Sequence, residues 1–132
     1  MIGILDLEVC NLTSVSSAVY NLGFDIKIIK ISEKEKLNDI SHIIIPGVGS
    51  FSNISAEFYK NKSFGSELEK FKNKGSPILG ICLGMQFLAS EGNENYKSKG
   101  LNFIDATVNL MESDSSKNFN LPHVGWNEIN IL

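Results

Sequence analysis

Short, nearly continuous apolar runs recur along the chain, and helical patterns separate several of them. The runs occupy Ile2–Leu5, Phe24–Ile31, His42–Ile45, Pro77–Cys82, Phe103–Leu110 and Gly125–Ile131. Runs of this kind are typical of strands that are buried on both faces of a parallel sheet. Strands that alternate with helices form βαβ units, so we predict a doubly wound α/β fold with a mostly parallel sheet.

Helical spacing is visible in three stretches of the sequence. Apolar residues recur three or four positions apart in two of them, at Leu12, Val15, Val19 and Leu22, and at Phe64, Leu68 and Phe71. Gly23 and Gly75 follow these two patterns, as is typical of a helix C-terminus. We also predict a helix at Met85–Ala89, and Ser32 and Glu35 have capping-box spacing before a short polar turn.

Composition and charge exclude several classes of protein. The 132 residues suit a single domain spanning residues 1–132, and the formal net charge is −3. All 12 basic residues are lysine, which argues against nucleic-acid binding and leaves no Arg clamp for an anion. No apolar run approaches the roughly 18 residues of a membrane span and no basic leader opens the chain, so we expect a cytoplasmic protein. Cys10 and Cys82 are far apart and no Cys/His cluster has metal-ligand spacing, so we expect no metal and no other cofactor.

A possible nucleophile lies where an apolar strand pattern meets a helical one. Residues 80–84 read Gly-Ile-Cys-Leu-Gly, which is the cysteine form of a nucleophile elbow. In such a turn, small neighbours let the strand and helix pack closely, and the helix start favours the reactive thiolate of Cys82. The alternative is a buried cysteine in a glycine-flanked turn. In doubly wound sheets ligands bind beyond the carboxyl ends of the strands, so the loops after Leu5, Ile45 and Ile81 are the places to look for a site.

The loop after the third run has the composition of an oxyanion hole. Residues 46–51 read Pro-Gly-Val-Gly-Ser-Phe, and two glycines free the backbone to expose N–H groups. Acyl transfer needs two such donors, one from the residue after the nucleophile, here Leu83, and one from a separate loop. The alternative is an ordinary βα turn.

Other polar or aromatic residues give weaker signals. The segment 122–127, Pro-His-Val-Gly-Trp-Asn, contains Trp126, the only tryptophan, which is either a core residue or a functional one. His42 begins a strand at the end opposite the elbow and is expected to be structural, and Cys10 is expected to be an ordinary loop residue. Gln86, four residues after Cys82, faces either a pocket or solvent.

In order along the chain, these segments resemble the class I glutamine amidotransferases. Within that class the resemblance is to the HisH family, the glutaminase subunit of imidazole glycerol phosphate synthase, and it runs over nearly the whole sequence. It is carried by GILDL at the start, PGVGSF at 46–51, PILGICLGMQ at 77–86 and LPHVGWN at 121–127, with shorter matches at Asn11–Val15 and Gly100–Ile104. The resemblance implies a flavodoxin-like amidotransferase domain.

The resemblance also implies roles for individual residues. Cys82 would attack the side-chain amide of glutamine, form a glutamyl thioester and release ammonia. The N–H groups of Leu83 and of Val48–Gly49 would bind the oxyanion, and Gly47, Gly49 and Gln86 would line the glutamine pocket. Ammonia would pass to a barrel-type synthase (cyclase) subunit, HisF-like, that makes imidazole glycerol phosphate on the histidine pathway. The partner interface would include Asn11, His123, Trp126 and Asn127.

Two departures from the family pattern stand out. The family's base and its orienting carboxylate form a His-x-Glu pair, which is absent from residues 1–132, so we expect this chain to be the N-terminal two-thirds of the domain and inactive alone. The family's first loop is glycine-rich, whereas residues 7–10 read Leu-Glu-Val-Cys, which leaves a different partner synthase open. Three alternatives stay open: an amidotransferase for surface-polysaccharide amino-sugar synthesis, a non-catalytic binding protein, and a cysteine hydrolase or peptidase on a related fold.

Overall fold

A computed structural model describes residues 1–8, 10–33 and 37–111, together with residues 126, 128 and 130. The strands are β1 Ile2–Asp6, β2 Ile26–Lys30, β3 His42–Gly47, β4 Ile78–Cys82, β5 Ala89–Gly92, β6 Ser98–Lys99 and β7 Ile104–Val108. The helices are α1 Leu12–Asn21, α2 Phe51–Lys60, α3 Lys62–Asn73 and α4 Leu83–Phe87. In this described part, no helix is both long and apolar enough to cross a membrane.

A four-stranded parallel sheet forms the centre of the described structure. Its order is β2-β1-β3-β4, so β1 and β3 are the central pair, with β2 beside β1 and β4 beside β3. In the pairing of β3 with β4, Ile43 lies opposite Ile78 and Gly47 lies opposite Cys82. The carboxyl ends of these two strands, and the loops that follow them, are therefore adjacent.

Helices cover both faces of this sheet, as the doubly wound prediction requires. On one face, the apolar side of α1 packs with Val19 against Ile4 and Ile44. On the other face, α2, α3 and α4 share a larger core with the strands, to which Phe58, Leu68 and Phe87 contribute. The alternation of Ile43, Ile44 and Ile45 between the two cores follows from the two-residue period of a strand.

The start and end of α1 and the end of α3 follow from local sequence. The side chain of Asn11 accepts a hydrogen bond from the N–H of Ser14 at 3.3 Å and so caps α1. Gly23 and Gly75, which we predicted to end the two helices, have φ angles of 84° and 77°. This left-handed conformation favours glycine, so both positions are explained by the backbone.

A smaller sheet was not predicted and corrects the sequence analysis after α4. Its order is β6-β5-β7, with β6 antiparallel and β7 parallel to β5. The helix predicted at Met85–Ala89 is wrong at its end, because Ala89 instead begins β5 and pairs with Ile104. The Tyr59 hydroxyl donates a 2.6 Å hydrogen bond to the Gly100 carbonyl and so ties α2 to this sheet. Partial burial raises the pKa of Tyr59, which keeps the hydroxyl protonated as a donor.

Two other expectations need correction, and a third falls outside the described residues. β3 does not stop at Pro46 but continues to Gly47 in its pairing with β4. Its pairing with β1 ends at Ile44, so no hydrogen bond to β1 requires the N–H group that proline lacks. Ser32 lies in a turn and not at a helix start, while its proposed partner Glu35 is outside the described residues. The strand prediction at Gly125–Ile131 also lies outside them, apart from three isolated positions.

Candidate active site

The backbone at Cys82 has the strained conformation of a nucleophile elbow. Its φ and ψ angles are 54° and −117°, outside the regions that a side chain with a Cβ readily adopts. Cys82 ends β4 and Leu83 begins α4, so strand and helix join without a linking loop. The sequence motif therefore corresponds to the turn geometry that it predicted.

The two glycines of the motif are required by close packing around this turn. A Cβ built on Gly84 would lie 1.8 Å from the carbonyl oxygen of Ile45, and one built on Gly80 would lie 2.4 Å from the Cα of Met85. Both distances are far below any real carbon contact, and the nearest atoms are backbone atoms that cannot move aside alone. The glycines allow α4 to pack directly against β3 and β4.

The loop after β3 begins beside Cys82. Gly47 is opposite Cys82 in the strand register, and a Cβ on Gly47 would meet the backbone nitrogen of Gly84 at 2.9 Å. Gly49 has a φ of 104° with open space around it, so its glycine is needed for backbone conformation and not for packing. The structure therefore places Gly47 next to the turn that contains Leu83, and Val48 and Gly49 follow Gly47 directly along the chain.

The two cysteines differ in their access to solvent. Cys82 is exposed, whereas Cys10 is half-buried and its Sγ lies 3.9 Å from the carbonyl oxygen of Leu5. A nucleophile must be reached by its substrate, and Cys82 meets this condition. Since α4 has only five residues, the elbow conformation and its exposure, more than a long helix dipole, distinguish Cys82.

A cavity lies between Gln86 of α4, Phe51 of α2 and the residues that follow β7. It has a volume of about 290 Å³, and its wall includes Gln86, Glu94 and Phe51 together with residues 108–111. Gln86 follows Cys82 by four residues, which is about 6 Å along a helix. Gly47, Gly49 and Cys82 are not in the wall of this cavity, so it does not bring Gln86 together with the other predicted site residues. A larger cavity of about 400 Å³, between α3 and residues 101–103, contains none of the predicted site residues.

No described histidine is near Cys82. His42 begins β3, five residues from Gly47, which corresponds to roughly 16 Å along a strand. Its Nδ1 lies 3.0 Å from the Ser41 hydroxyl on the exposed surface. The described residues also contain no group of three or more His, Cys, Asp or Glu side chains placed to hold a metal ion.

The predicted interface residues are only partly described. Asn11 is exposed and caps α1, and Trp126 is fully exposed. The core and interface alternatives for Trp126 both stay predictions. His123 and Asn127 lie outside the described residues, so their predicted roles stay predictions.

The first loop adopts a glycine-like conformation without glycine. Glu8 has a φ of 60°, and the Asp6 carboxylate accepts a hydrogen bond from the Glu8 N–H at 2.9 Å. This Asx turn compensates part of the cost of a positive φ. The positive φ of Glu8, in a segment where the family has glycine, is therefore accompanied by a local hydrogen bond.

Glu94 is one contact at the site that the sequence analysis missed. Its carboxylate accepts a 2.6 Å hydrogen bond from the backbone N–H of Phe51, at the start of α2. The two residues are 43 positions apart, and Glu94 lies in a polar loop after β5 that no motif includes. No sequence signal pointed to this contact.

The described residues form a doubly wound parallel sheet with a strained, exposed cysteine at the carboxyl end of β4. Comparison with known proteins gives the family: the model of the glutamine amidotransferase class-I family matches residues 4–127. The chain belongs to this family.

Curated relatives are similar to this chain over nearly all of it. The imidazole glycerol phosphate synthase subunit HisH of Listeria monocytogenes serotype 4b is 35% identical over 131 residues, which cover 99% of this chain and 61% of the relative. The subunits of the same description from Leptospira borgpetersenii and Sulfolobus acidocaldarius are 38% and 36% identical. Each match covers 98% of this chain, and 63% and 60% of those relatives. The chain thus spans about three-fifths of the length of these relatives.

Solved structures agree with the fold. A crystal structure of a glutamine amidotransferase superposes with a TM-score of 0.68 at 26% identity, covering 82% of this chain and 55% of that one. A structure from Listeria monocytogenes described as a peptidase E protein superposes with a TM-score of 0.63 at 12% identity, covering 79% and 62%. At that identity the second likeness shows a shared fold alone.

Proposed function

We propose that the complete protein is a glutaminase subunit that hydrolyses glutamine to glutamate and ammonia through Cys82. The observation that supports this most strongly is the strained, exposed elbow at Cys82, with Gly47 of the neighbouring strand opposite it. Family membership supports the same chemistry, since the matched family is defined as glutamine amidotransferases.

The first half of the proposed reaction makes a thioester. The Cys82 thiolate attacks the side-chain carbonyl carbon of glutamine, and the carbonyl oxygen becomes an oxyanion that the N–H groups of Leu83 and of Val48–Gly49 stabilise. When the carbonyl re-forms, the carbon–nitrogen bond breaks and the nitrogen leaves as ammonia with one added proton. Gly47, Gly49 and Gln86 are proposed to line the glutamine pocket.

The second half regenerates the thiol. Water attacks the thioester carbonyl, the carbon–sulfur bond breaks, and glutamate leaves while Cys82 takes a proton. Both halves need a group that accepts and returns a proton. We propose that this base lies outside the described residues, because His42 is at the opposite end of the sheet.

We propose that the ammonia passes to a barrel-type, HisF-like synthase that makes imidazole glycerol phosphate. The names of the relatives support this partner, as does the exposure of Trp126. An amidotransferase for another synthase, such as one in surface-polysaccharide amino-sugar synthesis, is the alternative, and the Leu-Glu-Val-Cys loop at residues 7–10 favours it. The cytoplasmic location and the partner-interface roles of Asn11, His123 and Asn127 stay predictions.

The test is Cys82→Ala in the complete protein, assayed with its partner synthase. Glutamine-dependent synthesis should fall by several orders of magnitude, because the nucleophile is lost, while synthesis from added ammonia should continue. Retention of glutamine-dependent synthesis by Cys82→Ala would overturn the proposal. An unaltered protein that shows no glutamine hydrolysis would favour a non-catalytic binding protein.

A further inference from the structure

The cavity of about 400 Å³ between α3 and residues 101–103 takes no part in the proposed reaction. Its wall includes the aromatic side chains of Phe58, Tyr59 and Phe103, and the charged side chains of Glu69 and Lys72. Small-molecule sites have volumes of roughly 300–1,000 Å³ and combine an apolar lining with a few polar groups. The size and the lining of this cavity therefore fit a small organic molecule with a flat, apolar part.

The two charged groups of this cavity differ from other charged pairs on α2 and α3. Three glutamate–lysine pairs on these helices have i, i+3 spacing, and two of them form ion pairs: Glu57–Lys60 and Glu67–Lys70. Glu69 and Lys72 form no ion pair with each other or with any other described residue. Instead, the Lys72 ammonium lies 5.0 Å from the centre of the Phe103 ring, as a cation–π contact. One carboxylate and one ammonium at the cavity wall are thus left without an ionic partner.

The wall formed by residues 101–103 is held in a fixed conformation. The backbone N–H groups of these three residues donate hydrogen bonds to the carbonyls of residues 87–89, with lengths of 2.8–3.0 Å. Asn102 has a φ of 56°, which is uncommon for a residue with a Cβ. The hydrogen bond from the Tyr59 hydroxyl to the Gly100 carbonyl joins this wall to α2. A cavity with a fixed wall binds a ligand without the entropy cost of ordering that wall.

We propose that this cavity binds the zwitterion of an α-amino acid with an aromatic side chain. The Glu69 carboxylate accepts hydrogen bonds from the ligand's ammonium, the Lys72 ammonium donates to its carboxylate, and its ring packs against the aromatic wall. Helix residues three positions apart have Cβ atoms about 5–6 Å from each other, so the two side chains can reach the neighbouring charges of one amino acid. A ligand with a single charge would meet a like charge in the same wall, so the arrangement favours a zwitterion.

The experiment titrates the complete protein with L-phenylalanine, L-tyrosine and L-tryptophan in an isothermal titration calorimeter. At least one of the three should bind saturably with a stoichiometry of one. Two analogues of the tightest ligand then test the charges: the corresponding amine, which lacks the carboxylate, and the corresponding acid, which lacks the ammonium. Each analogue should bind at least about threefold more weakly than the amino acid, because it leaves one charged side chain of the wall without a partner.

Variants of α3 locate the binding site. Glu69→Gln and Lys72→Met should each weaken the binding of the tightest amino acid about three- to tenfold, since each removes one charged contact to the ligand. Glu67→Gln and Lys70→Met are the matched controls, because these residues have the same spacing on the same helix and do not line the cavity. Both control variants should bind the amino acid as the unaltered protein does.

Thermal melting of each variant shows that the comparison is made on folded protein. Failure of all three amino acids to bind would overturn the proposal, and so would analogues that bind as tightly as the amino acid. Unchanged affinity in Glu69→Gln and Lys72→Met would place the ligand elsewhere and would overturn it too, as would equal losses in the control variants. These measurements follow binding and not glutamine hydrolysis, so their outcome is separate from that of the Cys82→Ala test.

Discussion

β3 and β4 are neighbours in the sheet, but their surroundings differ. Residues 43–47 of β3 are all buried, whereas no residue of β4 is, and Leu79 and Ile81 are 56% and 39% exposed. β3 has a strand on each side, while β4 pairs only with β3 among the described residues. Among the described residues, the loop after β3 thus follows a buried strand, whereas Cys82 ends a strand that has one described neighbour.

The sequence does not distinguish the buried strand β3 from the exposed strand β4. Both strands appear as short apolar runs that end near glycines, so the pattern predicts a strand in each case. Burial depends on which strands are neighbours, and that is a property of the tertiary structure. The comparison predicts that changes in β3 alter stability, whereas changes at the end of β4 alter chemistry.

The largest expected effect concerns catalysis by residues 1–132 alone. These residues contain Cys82 and the loop at residues 46–50 that is proposed to bind the oxyanion. Their described part places no histidine near the Cys82 thiol. We expect glutamate release several orders of magnitude below that of a complete glutaminase, because triad members act as a unit. Turnover at a normal rate would show that His123 or another group within residues 1–132 acts as the base. That result would contradict the expectation that these residues are inactive alone.

The next effect contrasts the two strands directly. Ile45 is fully buried in β3, whereas Ile81 is 39% exposed in β4. Ile45→Ala should lower the free energy of unfolding by about 2–5 kcal/mol, because it leaves a cavity in the core. Ile81→Ala should cost less than half of that loss, since its side chain already contacts solvent. Equal losses in denaturant titrations of the two variants would contradict the contrast between buried and edge strands.

A smaller effect extends the contrast to an exposed aromatic residue. Trp126 is fully exposed, so Trp126→Ala should leave the melting temperature nearly unchanged. If the segment contacts the synthase, the same variant should weaken binding by about 2 kcal/mol, which is about thirtyfold, as is typical of an interface hot spot. Binding isotherms and melts on one preparation provide the check. A large drop in melting temperature with normal affinity would reject the interface role.

The main features of the fold were predictable where the signal is local. The parallel strands, the ends of α1 and α3, and the elbow at Cys82 follow from apolar runs, terminal glycines and a five-residue motif. The helix α2 was missed although Phe51, Ile54 and Phe58 have helical spacing and Ser50 is a good N-cap, so that signal was present in the sequence.

Other features depend on contacts between distant segments and could not be predicted. β6 has only two residues, Ser98 and Lys99, and it exists because it pairs with β5. Ala89 leaves the helical pattern because β5 pairs with β7. The bond from Phe51 to Glu94 joins residues 43 positions apart, and no local pattern contains that information. The exposure of β4 likewise follows from its place at the edge of the described sheet.

The most direct test of the central claim compares the reactivity of the two thiols. The account predicts that limiting iodoacetamide modifies Cys82 before Cys10, because Cys82 is exposed in a strained turn while Cys10 is half-buried beside the Leu5 carbonyl. Mass spectrometry of proteolytic fragments after short exposure distinguishes the two sites, and the ratio of their alkylation rates is the quantity to report. Modification of Cys82 well ahead of Cys10 is the predicted result, and preferential modification of Cys10 would contradict the account.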